Sequence, residues 1–179
     1  MWHSVRSFFQ RLYIEFTRVL DHSWRRYRGL PLMSNSQISP QLFVGGQYTY
    51  AGFRRLQERG ITAIVSMRSQ LPIDPSKYPN MRFLHLPTVD QQPPTLEQFR
   101  LGSDFIQQQI DAGGKAYVHC LHGEGRGPSM AIAYLISTGL TLEDALAQVK
   151  RARSFVQPTK VQMERLREFA EQVAKEMKV

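Results

Sequence analysis

The chain has 179 residues, 42% hydrophobic and 21% charged, proportions that suit one soluble globular domain with a sizeable core. A single cysteine excludes an internal disulfide framework and fits a reducing, cytoplasmic setting. The formal charge of +8 comes with no repeat, low-complexity tract or nucleic-acid motif, so basicity alone gives no reason to expect DNA or RNA as a partner.

Residues 1–28 carry much of the positive excess: Arg6, Arg11, Arg18, Arg25, Arg26 and Arg28 face only Glu15 and Asp21. Val5, Phe8, Phe9, Leu12, Phe16, Val19 and Leu20 recur at helical spacing, which predicts an amphipathic helix with one broad apolar face and most arginines outside it. Arginines interrupt the apolar residues and no small-residue cleavage site follows, so the stretch does not read as a signal peptide; nor is it long enough without charge to span a bilayer. Three readings stay open: a helix lying on an anionic membrane surface, a targeting presequence, or a helix packed on the chain's own globular domain.

Gly29 to Ser36 reads as a linker, which divides the chain into an N-terminal extension, 1–36, and a main domain, 37–179. Ile38 to Val44 is then a predicted strand ending at Gly45-Gly46, Tyr50 to Glu58 a helix closed by Gly60, and Ile61 to Ser66 a buried strand. Arg68 follows that strand, either as added positive potential near a site or as an ordinary loop residue. Met81 to Leu86 is another strand candidate. It leads into the turn-rich Thr88-Val89-Asp90-Gln91-Gln92-Pro93-Pro94 and a helix from Thr95 to Ile110. Asp90 there suits a turn or cap as well as an acid aimed at a neighbouring site.

Lys115 to His119 completes an alternation of strands and helices that predicts an α/β domain, with a largely parallel central sheet flanked by helices. Ligands in such sheets bind beyond the carboxyl ends of the strands, where His119-Cys120-Leu121-His122-Gly123-Glu124-Gly125-Arg126-Gly127-Pro128 begins. If a strand ends at His119 and a helix starts near Pro128, Cys120 to Arg126 must fold tightly. Its amides, Leu121, His122, Gly123, Glu124 and Gly125 among them, then form a nest for a tetrahedral dianion. The helix dipole and the Arg126 guanidinium favour a thiolate at Cys120, and the planar fork of Arg126 can grip two phosphoryl oxygens. His119 is expected to orient the loop and tune the thiolate from behind. His122 has no partner at metal-ligand spacing, so no metal or other cofactor is expected. Helices from Pro128 to Ser137, from a Thr141 cap to Arg153, and from Thr159 to Lys175 complete the chain.

His-Cys-x-x-Gly-x-x-Arg between a strand and a helix resembles the cysteine-dependent phosphatases of the protein-tyrosine-phosphatase superfamily, in particular the small dual-specificity group. The resemblance covers roughly residues 37–169. It takes in Ile38 to Gly45, Ile61 to Arg68, Leu86-Pro87-Thr88-Val89-Asp90 and Ala145 to Pro158, in the order the family uses. It implies Cys120 as nucleophile, Arg126 and the loop amides as phosphate ligands, and Asp90 as the acid of a mobile loop. A phosphorylated protein is the implied substrate. The segment from Leu86 to Phe105 and Val118-His119-Cys120 are also similar to mitochondrial-type phosphatidylglycerophosphate phosphatases, which would make the substrate a phospholipid.

Two departures from the family pattern carry expectations. Gly127 stands where a Ser or Thr hydroxyl usually helps cysteine leave; the loop end is similar to the phosphatases of regenerating liver, and implies slow breakdown of a phosphoenzyme. Leu121, His122 and Glu124 replace the lysines of inositol-phosphate phosphatases, and Glu124 either repels a polyphosphorylated head group or points to solvent. From other classes, a rhodanese-type sulfurtransferase also uses a loop cysteine but usually lacks this downstream arginine. A catalytically idle phosphate-binding adaptor is the non-enzyme alternative. The oligomeric state is left open.

Overall fold

Alternation of period two decides how the strands sit. Leu42, Val44, Ala63, Val65, Ala116 and Val118 join the larger core on one face of the sheet, while Phe43, Ile64 and Tyr117 join a smaller cluster on the other. They belong to β1 (Leu42–Gly45), β2 (Ala63–Ser66) and β4 (Ala116–His119); β3 (Arg82–His85) completes the sheet, in the order β1-β4-β2-β3. All three pairings are parallel, with Val44, Val118 and Val65 in one row. The structure, a computed structural model, describes residues 2–70, 74 and 80–177, the side chains of 2–6 excepted.

The helices are α1 (Trp2–Arg28), α2 (Tyr50–Glu58), α3 (Leu96–Asp111), α4 (Arg126–Ser137), α5 (Leu142–Ala152) and α6 (Lys160–Glu176). Helix α4 is central: Arg126 to Ile136 are all buried, and the helix packs against α3, α5 and α6 as well as β4. Thr95 with Gln98 and Thr159 with Gln162 form capping boxes at the starts of α3 and α6, and Thr141 caps α5. Such caps contribute about 1 kcal/mol each. On the opposite face of the sheet, Phe53 and Leu56 of α2 pack with Leu30 and Tyr117.

The strand expected over Ile38 to Val44 is a tight hairpin instead, with Gln37 bridged antiparallel to Phe43 and only Leu42 onward in the sheet. Pro40 cannot donate to a ladder, and the Ser39 hydroxyl accepts from the amides of Gln41 and Leu42, which turns the chain. Helix α4 begins at Arg126, two residues before the expected Pro128, because Gly125 takes the cap position. The stretch expected as a linker carries the buried Leu30 and Ser36 and a 3-10 turn at Met33–Asn35.

Helix α1 inverts the usual amphipathic rule. Phe8, Phe9, Leu12, Phe16 and Val19 are each half or more exposed. A stripe spaced three or four apart (Thr17, Arg18, Asp21, His22, Arg25) meets the rest of the chain instead. The helix thus packs on the domain, but by its polar face. Val5 and Arg6, both counted in the expected pattern, have side chains outside the described residues.

Candidate active site

At the carboxyl ends of β4 and β2 lies a cavity of about 210 Å³, lined among others by Asp90, Cys120, His122, Arg126, Gln157 and Gln162. Cys120 sits directly past β4 and is only 3% exposed. The amide of Gly123 donates to its Sγ at 3.3 Å, so the loop curls over the sulfur. Gly123 permits that curl twice over: its φ is +73°, and a Cβ there would stand 2.4 Å from the Gly45 carbonyl carbon.

Arg126 is buried in the first turn of α4, and its guanidinium ties three segments together. Nη1 donates to Thr88 O at 2.8 Å and Met67 O at 3.4 Å, while Nη2 lies 2.6 Å from Asp90 Oδ1. The Asp90 loop is anchored from its far side as well. Thr159 Oγ1 donates to Gln91 O at 3.1 Å and Gln162 Nε2 to Gln92 O at 3.0 Å, around a Gln91 with φ of +62°. Asp90 itself is 68% exposed along its side chain, aimed over the cavity.

Each carbonyl from 121 to 124, in the loop after Cys120, has a donor behind it. Leu121 O accepts from Arg25 Nη1 at 2.6 Å and Gln47 N at 3.0 Å, and Glu124 O from Gln157 N at 2.8 Å. His122 O and Gly123 O both accept from Arg153, through Nη2 at 2.9 Å and Nε at 2.7 Å. Arg153, just past α5, is fully buried, pairs with Asp21 of α1 at 2.9 Å, and lies over the Phe155 ring. Sequence reasoning passed over Arg153 and Asp21, since each reads as one more charge on a solvated helix. For Arg153 a signal was available, since it continues the buried Leu142, Ala145 and Val149 stripe of α5; for Asp21, opposite the apolar residues of α1, there was none.

His119 is fully buried between Tyr48 and Tyr117, with ring centroids at 5.0 and 6.0 Å. Its Nδ1 bonds the Cys120 carbonyl at 3.2 Å, so the proton is on Nδ1 and the contact is with the backbone of the loop. Burial lowers its pKa to about 4, against the opposing pull of that carbonyl. The unfolded ring takes a proton below about 6.5, the folded one only near 4, so the unfolded state binds more protons between these values. Stability should therefore fall as pH drops from 6.5 to 4, by on the order of 3 kcal/mol in full. Urea midpoints against pH should show a flatter acid limb in His119→Gln; an equally steep limb would assign the loss elsewhere.

Glu124 neither crowds the cavity freely nor points to solvent. It turns back to α1, with Oε1 2.9 Å from His22 Nε2 and Oε2 4.0 Å from Arg18 Nη1. Burial would raise its carboxyl, but those partners bring it below the ordinary carboxylate value. His122 packs on the His22 ring at 5.2 Å, and burial followed by the charge of Arg25 holds its pKa below the usual imidazole value, which leaves it neutral at pH 7. Arg68 is half-buried outside the cavity lining, and its carbonyl bonds His85 at 2.7 Å. Among the described residues no group of three or more His, Cys, Asp or Glu side chains is placed to hold a metal.

A buried cysteine under a loop amide, with a clamped arginine and a carboxylate above, is an arrangement able to transfer a phosphoryl group. Comparison with known proteins agrees. The family model for the dual specificity phosphatase catalytic domain matches residues 42–172. Human dual specificity protein phosphatase 1 is 30% identical over 139 residues, 76% of this chain, which spans only 37% of that relative's length. Among solved structures, PTPMT1 in complex with PI(5)P superposes with a TM-score of 0.75 at 25% identity, covering 79% of this chain and 97% of that one. Human tyrosine phosphatase-like serine/threonine/tyrosine-interacting protein superposes with a TM-score of 0.70 at 27% identity, covering 78% and 97%. The chain belongs to the dual specificity phosphatase catalytic-domain family.

Proposed function

We propose that the chain hydrolyses phosphomonoesters through a phosphocysteine, with phosphotyrosine and phosphoserine or phosphothreonine proteins as substrates. The convergence of Cys120, Arg126 and Asp90 on one cavity supports this best. Cys120 attacks phosphorus, forming the S–P bond as the P–O bond to the leaving group breaks. The loop amides and Arg126 hold the other oxygens, and Asp90 gives its proton to the departing alkoxide or phenolate. The same carboxylate then takes a proton from water, which attacks phosphorus and frees the thiolate and inorganic phosphate. Asp90 Oδ1 stands against Arg126 Nη2 where a phosphoryl oxygen would bind, so an arriving dianion releases Asp90 toward the leaving group.

Gly127 offers no hydroxyl to assist the second step, and a Cβ there would stand 3.2 Å from Cys120 N and 3.3 Å from His119 C. Wild-type protein should therefore accumulate phosphocysteine in rapid-quench experiments. Gly127→Ser should decay about tenfold faster than Gly127→Ala, a comparison that cancels the crowding both share. Absence of phosphoenzyme during turnover would remove the idea.

One observation favours a second substrate class: the outward aromatic and aliphatic face of α1, on a helix that also exposes Arg11 and Arg26, suits an anionic bilayer and with it a phospholipid substrate. No described helix is long and apolar enough to cross a membrane, so such contact would be interfacial. Phosphate release from a phosphotyrosine peptide, beside release from phosphatidylglycerophosphate in micelles, decides between them, with Cys120→Ser as blank. Peptide preference is expected. Lipid preference, with flotation on anionic vesicles, selects the second reading, and silence on both with intact anion binding selects a phosphate-binding adaptor.

A further inference from the structure

Helix α1 lies outside the family-matched residues 42–172, yet it reaches the back of the phosphate loop directly through Arg25 and His22 and, by way of Arg153, through Asp21. In a trans peptide the carbonyl and the following N–H point in opposite directions, so whatever holds a carbonyl aims the next amide. Arg25 on Leu121 O turns the His122 amide forward. Arg153 on His122 O and Gly123 O turns the Gly123 and Glu124 amides forward, and the first of these is indeed the one that meets Cys120 Sγ. Arg153 spends its remaining donors on Asp21 Oδ1 and Oδ2 and on Asn35 O, five hydrogen bonds in all. A guanidinium buried this completely keeps its orientation only while its carboxylate partner is present.

From this geometry we infer that Asp21 and Arg25 of α1 are positioning residues for phosphate binding: they hold the carbonyls of residues 121–123, Asp21 by way of Arg153, so that three consecutive amides converge on the phosphoryl group. The inference deepens the phosphatase reading and rests on it for the identity of the anion. Neither residue lies on the outer apolar face of α1, so vesicle binding is a separate property.

The test uses the full chain with Arg25→Met, Arg25→Lys and Asp21→Asn. It reads tungstate binding by calorimetry, kcat and KM on a small aryl phosphate, and the thermal midpoint. Arg25→Met should weaken tungstate binding and lower kcat by about tenfold, less than deleting an oxyanion donor outright, with the thermal midpoint nearly unmoved. Lysine retains one donor for Leu121 O and should restore most of the loss. Asp21→Asn should be worse on both readouts, and if it fails to fold the Arg25 pair still decides. Wild-type tungstate affinity in Arg25→Met would overturn the inference; so would a loss that lysine does not repair and that follows the thermal midpoint. Since tungstate binding needs no turnover, an inactive wild-type protein would count against the phosphatase reading and leave this test standing.

Discussion

Cys120→Ser should reduce phosphate release by about 10⁴-fold or more while leaving the protein folded and able to bind tungstate. The magnitude follows from the chain's having one cysteine: no second thiol can take over attack, and a serine hydroxyl at the same depth is a far poorer nucleophile without an adjacent general base. Folding should survive because Cys120 is buried beside the Gly123 N–H, which can donate to an oxygen as to a sulfur. Phosphate release assays with tungstate calorimetry on the same preparation check both halves. Retention of more than about a hundredth of the rate would mean that water attacks directly, and that the loop acts only as an anion clamp.

Much of this site was readable from residue types alone, because its constraints are local. A glycine that must accept positive φ, a strand-loop-helix junction and an arginine six residues past a cysteine leave few alternatives for what the loop can do. The sheet was legible for the same reason: its central strands are short, β-rich buried runs bounded by turn residues, and the Thr141 cap announces α5.

What escaped the sequence depends on pairings far apart in the chain. The apolar residues of α1 mark a face that suits a core or a membrane surface alike, and Asp21 and Arg153 bind each other across 132 positions and draw the opposite face inward. No periodicity encodes that choice, since a buried ion pair and two solvated charges look alike until the partner is known. Glu124 was misjudged for the same reason: its partners His22 and Arg18 lie on an element whose docked face could not be inferred. The hairpin at Ser39-Pro40 is a smaller case, in which an apolar run outweighed the missing proline donor.

Arg126→Lys should lower kcat by roughly 10³-fold on an alkyl phosphate, a larger loss than charge alone explains, since lysine keeps the charge. The guanidinium acts as a three-way junction: Nη1 holds Thr88 O at the root of the acid loop, Nη2 holds Asp90, and the fork remains aimed at the cavity. An ammonium can satisfy one of these demands at a time. The prediction therefore has two components, poorer binding of the dianion and a misplaced acid. Leaving-group dependence separates them. Aryl phosphates with acidic leaving groups need little protonation, so on them Arg126→Lys should lose only the binding component; on alkyl phosphates it should lose both. Combining Arg126→Lys with Asp90→Asn completes a cycle in which the two effects should be clearly less than additive on the alkyl substrate, because the lysine variant has already lost the positioned acid. Full additivity there would mean that the 2.6 Å contact between Arg126 and Asp90 has no part in delivering the proton, and that the acid loop is held by Thr159 and Gln162 alone.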